Sequence, residues 1–302
     1  MFFALAIIKI YVIIQKAAKK ETSFLGEVAV MKKKPARVQS LLPLILSLIA
    51  FLAVLAGILY LVFHSVLPGK EPTSSQTESV QILPLNTRDA DDFVKTNERI
   101  SYPGAVAGID VSAHQQGIDW ELVKSDGIDF AIIRAGYRGC SEGGLYEDEC
   151  FQANIQGALS AGLQVGVYFF SQAVSVEEAV EEAEYTLQLI RDYDVSLPVF
   201  FDWEENASGR TGGILLQDVS DFAAAFCMEI TSAGFRGGVY FNQTYGYSFR
   251  LEELRQYDFW LAEYRDNLSF YYDVDWWQYT HTGNVAGIDL DVDLNLMFPH
   301  ED

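Results

Sequence analysis

Cysteine, histidine and positive charge are all scarce in this chain, and each scarcity removes a class of function. Three cysteines and four histidines in 302 residues make neither a zinc cluster nor a Cys-x-x-Cys redox pair. No His/Asp/Glu spacing forms a metal site, so no metal or other cofactor is expected. Lys and Arg number 21 against 42 Asp and Glu, for a formal net charge of -21. Eight of the basic residues (Lys9, Lys16, Lys19, Lys20, Lys32, Lys33, Lys34, Arg37) fall within residues 1–40, beside only Glu21 and Glu27, which leaves 13 basic and 40 acidic residues downstream. So acidic a domain repels polyanions, and no nucleic-acid partner is expected.

Hydrophobic residues, at 50%, are plentiful. One run of them, Leu41 to Phe63, carries no charge over 23 residues; as a helix it would be about 34 Å long, enough for a hydrocarbon core of about 30 Å. Pro43 falls in its first turn, where a missing N–H costs least. Lys32, Lys33, Lys34 and Arg37 precede the run, and only Lys70 lies close behind it. The positive-inside rule therefore predicts a single-pass anchor with a cytoplasmic N-terminus and everything after Phe63 outside the cell. The competing reading, a cleaved signal peptide, requires an apolar region of about 7–15 residues and a small-residue cleavage site, which His64-Ser65-Val66-Leu67-Pro68 does not supply. Upstream, Phe2 to Ile14 is short and broken by Lys9, and Met31-Lys32-Lys33-Lys34 reads as a start site, with 1–30 not translated. The expected organisation is a basic cytoplasmic segment at 1–40, a transmembrane helix at 41–63, an extracellular linker at 64–104 and one folded domain at 105–302. Pro72-Thr73-Ser74-Ser75-Gln76-Thr77 is the clearest tether-like stretch.

From Val106 onward short apolar runs alternate with helical segments. The pattern predicts strands at Val106–Val111, Phe130–Ala135, Gln164–Phe170, Pro198–Trp203, Gly238–Phe241, Phe259–Tyr264, Trp276–Thr280 and Ile288–Leu294. Helices are expected at Trp120–Ser125, Glu149–Ala161, Val176–Asp192 and Gln217–Ala233, the third with Ser175 as N-cap before Glu177 and Glu178. Eight strands with helices between the first five indicate an α/β fold, an irregular TIM-barrel-like β/α barrel, in which chemistry gathers at the C-terminal ends of the strands.

Those ends are acidic. The first strand ends Gly108-Ile109-Asp110-Val111-Ser112, the fourth Phe201-Asp202-Trp203-Glu204, and the last Asp291-Val292-Asp293-Leu294-Asn295. A carboxylate is costly to bury unless paired or used, so three such ends together point to a shared acidic site. Asp202 and Glu204, two apart on a strand, share a face. At about 6 Å and an effective dielectric near 20 they repel by roughly 2.8 kcal/mol, about two pKa units. Such a pair tends to hold one proton near neutral pH, which supplies both an acid and an anion. Glycoside cleavage needs that combination, a proton for the leaving oxygen and negative charge beside an oxocarbenium-like centre.

The blocks Gly108-Ile109-Asp110-Val111-Ser112, Ile118-Asp119-Trp120, Phe130 to Gly136, Gly162 to Phe170, Asp202-Trp203-Glu204, Trp277-Gln278-Tyr279 and Val292-Asp293-Leu294-Asn295 resemble, in family order, the lysozymes of glycoside hydrolase family 25. The resemblance runs from about Ala105 to Phe298. It implies a flattened β/α barrel and N-acetylmuramidase activity, hydrolysis of the β-1,4 bond from N-acetylmuramic acid to N-acetylglucosamine in peptidoglycan. It also implies Glu204 as general acid and Asp202 as the group that orients the substrate N-acetyl arm or stabilises its charged intermediate. Asp110 and Asp293 match the family's remaining pocket carboxylates.

Aromatic rings pack on the apolar faces of sugars, which makes Tyr168, Tyr240, Trp260 and Tyr264 candidate substrate contacts, with Gln278 as an amide partner; barrel aromatics are equally often core. Arg134 is expected to pair with an internal carboxylate, and His114 to line the rim or serve structure. Cys140 and Cys150, ten apart in one segment, are placed for a disulfide outside the cell, whereas Cys227 reads as a buried thiol among Phe222, Ala225, Phe226 and Ile230. Two other readings stay open: an inactive, anchored peptidoglycan-binding module, and a chitinase-like barrel, which the Val292-Asp293-Leu294-Asn295 ending disfavours.

Overall fold

The computed structural model describes residues 83–299, so the expected anchor at 41–63, the start of the linker and the basic N-terminal segment lie outside the described residues. Among the described residues, no helix is long and apolar enough to cross a membrane.

Two short strands, β1 (Val94–Thr96) and β2 (Arg99–Ser101), form an antiparallel hairpin ahead of the barrel. The barrel unit then runs β3 (Val106–Val111), α1 (Trp120–Ser125), β4 (Phe130–Arg138), β5 (Leu145–Glu147), α2 (Phe151–Ser160), β6 (Gln164–Ser171), α3 (Val176–Ile190), β7 (Val199–Trp203), α4 (Leu216–Ser232) and β8 (Gly237–Asn242). Short helices α5 (Gln243–Gly246) and α6 (Leu251–Leu254) lead to β9 (Asp258–Ala262), β10 (Trp276–Gly283) and β11 (Val292–Met297). The strand order β3-β11-β10-β9-β8-β7-β6-β4 closes because β3 also pairs with β4, and β5 adds an antiparallel arm to β4. Seven strands run parallel; β11 is antiparallel to both β10 and β3. The result is an eight-stranded closed β/α barrel.

Alternation along each strand sorts the apolar side chains into two layers. One lies between barrel and helices and includes Ile109, Val167, Phe169, Phe201, Phe226 and Ile230. The other fills the barrel: Phe130, Ile132, Phe200, Trp260 and Trp276, with Tyr168 and Tyr240 above them. Edge-to-face contacts lock this plug, with Phe130 and Phe200 each against Trp276 at ring-centroid distances of 5.1 and 5.7 Å. Two inward positions must lack a side chain to admit it. A Cβ on Gly108 would sit 2.3 Å from the Phe130 ring, and one on Gly238 2.4 Å from the Phe200 ring.

Several boundaries differ from the sequence pattern for identifiable reasons. The last strand begins at Val292 rather than Ile288, because Ile288 is a buried anchor in the preceding loop while Leu290 points to solvent. The sixth barrel strand ends at Ala262, and Glu263 and Tyr264 form the loop above it. The hairpin of β1 and β2 and the strand β5 carry too few apolar residues to register as periodic runs.

The stretch 83–104, expected as linker, is part of the folded unit. Leu83 and Ile100 are each 5% exposed within the core. Asn86 donates its backbone N–H to Tyr271 O at 3.0 Å, and Asp273 returns one to Pro84 O at 2.9 Å. Arg88 pairs with Asp273 and lies over the Phe298 ring, 3.8 Å from its centroid.

Cys140, Cys150 and Cys227 are all free, the last buried as expected, and no Cys140–Cys150 disulfide is present. The register explains its absence. Arg138 pairs with Leu145 near the tip of the β4–β5 hairpin, and Asp148 N bonds Ala135 O at its base. Cys140 lies beyond the first pair and Cys150 beyond the second, so at least three strand residues, about 10 Å, separate their levels. A disulfide tolerates a Cα separation of only about 7 Å.

If 83–104 belongs to the fold, Ile100→Ala should cost about 2–4 kcal/mol, as cavity-forming core substitutions do. Urea denaturation of the full chain would show a lower midpoint at unchanged slope; a loose tether would leave the midpoint where it was.

Candidate active site

The first, fourth and last barrel strands deliver their acidic residues to one mouth. In the antiparallel register of β11 with β3, Asp293 stands directly opposite Asp110, and opposed residues share a face with Cβ atoms about 5 Å apart. On the other wall, β7 and β8 place Asp202 beside Tyr240. Glu204 is the first residue beyond β7, whose end is pinned by the Trp203 indole N–H on Ala173 O at 2.9 Å.

The sequence-derived site residues Asp110, Tyr168, Asp202, Glu204, Tyr240, Trp260, Tyr264, Gln278 and Asp293 all line one cavity of about 290 Å³, together with His114, Arg134 and Phe170. They divide by environment. Asp110 and Asp202 are buried, 6% and 8% exposed, and Asp293 is half-buried. Glu204 stands exposed at the lip, although enough protein crowds its carboxyl to desolvate it.

Asp110 is held by two amides: Gln278 Nε2 at 2.8 Å and Asn295 Nδ2 at 2.7 Å both donate to its Oδ2. Gln278 Oε1 accepts from the Tyr264 hydroxyl at 2.9 Å and the Tyr240 hydroxyl at 3.2 Å. Asn295 Oδ1 takes the Trp260 indole N–H at 2.9 Å. Gln278 is thus a hub that ties the rim tyrosine to the buried carboxyl. Trp260, 1% exposed, is floor, whereas Tyr264 is 50% exposed and stands as an open aromatic face beside His281, with ring centroids 4.7 Å apart. Asp202 Oδ1, by contrast, is buried without any hydrogen-bond partner. Such a carboxyl oxygen is an expensive exception, in a residue that lines the cavity.

Arg134 pairs with an internal carboxylate as expected, and the partner is Asp148: Nε lies 2.7 Å from its Oδ2. The same oxygen accepts the Ala113 N–H at 3.0 Å, and Oδ1 accepts that of Cys150 at 2.9 Å. One buried carboxylate therefore fixes both Arg134 and the 3-10 turn carrying His114, which Ser112 and Gln115 also close as a capping box. The sequence pattern missed Asp148, because a single acidic residue before a helix looks like a cap. It quoted Asn295 only as part of a motif.

The electrostatics follow from burial and proximity. Desolvation, and then Asp293, push the Asp110 carboxyl well up, against the two amide donors. Desolvation, Glu204 and Asp110 raise Asp202 well above its usual range, with Arg134 opposing. Glu204 is raised by desolvation. Asp293 is raised to about 6, again chiefly by desolvation. The four carboxyls thus retain protons to higher pH than free carboxylic acids.

A carboxyl-rich cavity over an aromatic floor, at the C-terminal mouth of a closed β/α barrel, is the arrangement of a glycoside hydrolase. The family described as glycosyl hydrolases family 25 matches residues 109–288. Lysozyme M1 of Streptomyces globisporus is 31% identical over 205 residues, 63% of this chain and 67% of that protein. The autolytic lysozyme of Clostridium acetobutylicum is 27% identical over 192 residues, 62% of this chain and 54% of that protein. Among solved structures, the bacterial lysozyme of Streptomyces coelicolor is 27% identical with a TM-score of 0.51, the match covering 64% of this chain and 91% of that one. The chain belongs to glycosyl hydrolases family 25.

Carboxyls with raised values in the folded state contribute stability below the unfolded carboxylate range and lose it as pH rises through the raised values. Asp202→Asn removes a buried charge that has no partner on Oδ1. It should raise Tm by about 2–4 °C at about pH 8 and change it little near pH 4. Calorimetry of the full chain at both values would check this; an equal shift at both would remove the role of charge.

Proposed function

We propose that this chain is a muramidase that hydrolyses the β-1,4 bond between N-acetylmuramic acid and N-acetylglucosamine in peptidoglycan glycan strands. The observation that carries the proposal is the convergence of four carboxyls on one cavity, with Asp202 Oδ1 buried and unpartnered while Asp110 Oδ2 takes two amide donors. The lysozyme names of the relatives agree with it.

Glu204, exposed at the lip with a raised affinity for its proton, serves as general acid to the leaving glycosidic oxygen and then as base to the incoming water. Asp202 accepts the N–H of the substrate acetamido group on its free oxygen. That contact aims the acetamido carbonyl at the anomeric carbon and stabilises the cation formed when the carbonyl attacks. The route is substrate-assisted and retaining. Asp110 and Asp293 add negative potential where positive charge develops, and the desolvation of their carboxyls strengthens it. Tyr264 offers a ring face to a sugar at the rim, and Tyr168 and Tyr240 close the walls. No step requires a metal or organic cofactor. The uncharged run at 41–63 with its upstream basic cluster supports reading the enzyme as a single-pass membrane protein whose barrel works on the wall side, in keeping with remodelling of the cell's own wall.

The test is to incubate the full chain and a Glu204→Gln variant with purified peptidoglycan, reduce the products with borohydride and identify them by mass spectrometry. New ends carrying reduced muramic acid, lost with the variant by about a hundredfold or more, are the expected result. Binding without new ends would instead make the protein an inactive peptidoglycan-binding module, and a trapped covalent enzyme–sugar adduct would replace the substrate-assisted route.

Because Glu204 must be protonated to act, kcat should fall on the alkaline side of its raised pKa. The alkaline fall of the pH–rate profile should therefore lie at higher pH than an unperturbed glutamic acid would give. A rate with no fall on the alkaline side would contradict Glu204 as the acid.

A further inference from the structure

Glu204 presents a positional problem that the barrel does not solve by itself. It lies past the end of β7, so no strand ladder fixes it, and it opens the loop that leads to α4. The main-chain carbonyl of Glu204 is nevertheless held. Gln172, 1% exposed just beyond β6, donates Nε2 to Glu204 O at 2.8 Å and to Ser171 O at 3.0 Å. Its Oε1 accepts the Thr211 hydroxyl at 3.4 Å, and Thr211 Oγ1 accepts the Asn206 N–H at 2.7 Å. One buried carboxamide therefore grips both the first residue of the loop and its far side.

Gln172 is itself clamped. Arg210 Nη1 donates to Gln172 O at 3.0 Å, and Arg210 grips Glu178 in the first turn of α3 with contacts of 2.9 and 2.6 Å. Glu178 Oε2 also accepts the Val174 N–H at 3.0 Å. Loop and helix are thus joined through the segment that carries Gln172, and none of these groups lines the cavity.

We propose that Gln172 is a positioning residue for Glu204: its carboxamide sets the main chain from which the acid projects, and the Arg210–Glu178 pair holds Gln172 in register. The proposal rests on Glu204 being the acid. A donor to a carbonyl so close to the reacting group governs kcat rather than substrate affinity, because a displacement of about 1 Å at the acid costs up to a hundredfold in rate, while Tyr168, Tyr240, Asp110, Asp202 and Asp293 sit on the barrel strands.

The full chain is compared with Gln172→Met, which keeps the length and removes every polar contact of the side chain, and with Gln172→Glu, which keeps the acceptor for Thr211 but faces two carbonyls with a carboxylate. On soluble, uncrosslinked glycan strands, Gln172→Met should lower kcat about tenfold to a hundredfold with KM changed less than about twofold. For Gln172→Glu, the ratio of its kcat to that of wild type should rise as pH falls, since a protonated carboxyl regains one donor. A kcat equal to wild type, or a loss that tracks the unfolded fraction by near-ultraviolet circular dichroism, overturns the proposal. If the wild-type chain releases no muramic acid ends, the muramidase reading is what fails. Amide hydrogen exchange then decides the positioning claim: faster exchange across residues 204–213 in Gln172→Met, with α4 unchanged, supports it, and unchanged exchange in that loop overturns it.

Discussion

Holding four carboxyls in one small cavity is the constraint on which this structure turns. The carboxyls repel one another, burial raises the cost, and Arg134, the one Lys or Arg lining the cavity among the described residues, is already committed to Asp148. The barrel meets that cost by geometry. Inserting β11 antiparallel between β10 and β3 closes the barrel and sets Asp293 opposite Asp110. The same strand brings Asn295, two residues along on the same face, to donate to Asp110. One strand thus supplies both a repelling charge and part of its compensation. Beneath them the aromatic plug, admitted by the bare positions Gly108 and Gly238, keeps water out and holds the carboxyl protons on.

Much of this was readable in the residues. Val106–Val111 and Trp120–Ser125 match the sequence pattern residue for residue, because apolar periodicity and a clear N-cap at Asp119 bound them. The acidic strand ends declared the site, since three costly residues at three equivalent places have few structural explanations. The hidden parts are of a different kind. Asp148, Gln172 and Asn295 work through partners 14, 32 and 185 residues away, and a single polar residue in a strand or loop gives no periodic signal of a distant partner. The folded stretch 83–104 escaped for the opposite reason: its polar composition is that of a tether, and only Leu83 and Ile100 carry the burial.

The four carboxyls also differ in how tightly they are held. Asp110 is fixed by two amides that are themselves fixed by Tyr240, Tyr264 and Trp260. Asp202 sits on a strand, rigid in its main chain yet without a partner on Oδ1. Glu204 is off the strand and exposed. This gradient runs from the barrel interior outward and agrees with the roles proposed for these groups. A group that only supplies potential gains from rigidity, and one that accepts a single hydrogen bond from substrate needs one free oxygen in a fixed place. A proton donor that must serve first the leaving oxygen and then a water needs access to both.

The proton inventory separates this cavity from an anion-binding one. With Arg134 neutralised by Asp148, the surroundings carry excess negative potential, and desolvation strengthens it. An anionic group placed at its centre would be repelled, whereas a neutral sugar acquiring positive charge along the reaction would be stabilised progressively. In the proposed mechanism the raised carboxyl values and the rate enhancement therefore have a common origin. The field that makes Asp110, Asp202, Glu204 and Asp293 reluctant to lose protons in the empty site is the field that favours a cation in the occupied one. The stability lost by crowding these carboxyls together is recovered only when the substrate itself becomes the missing positive charge.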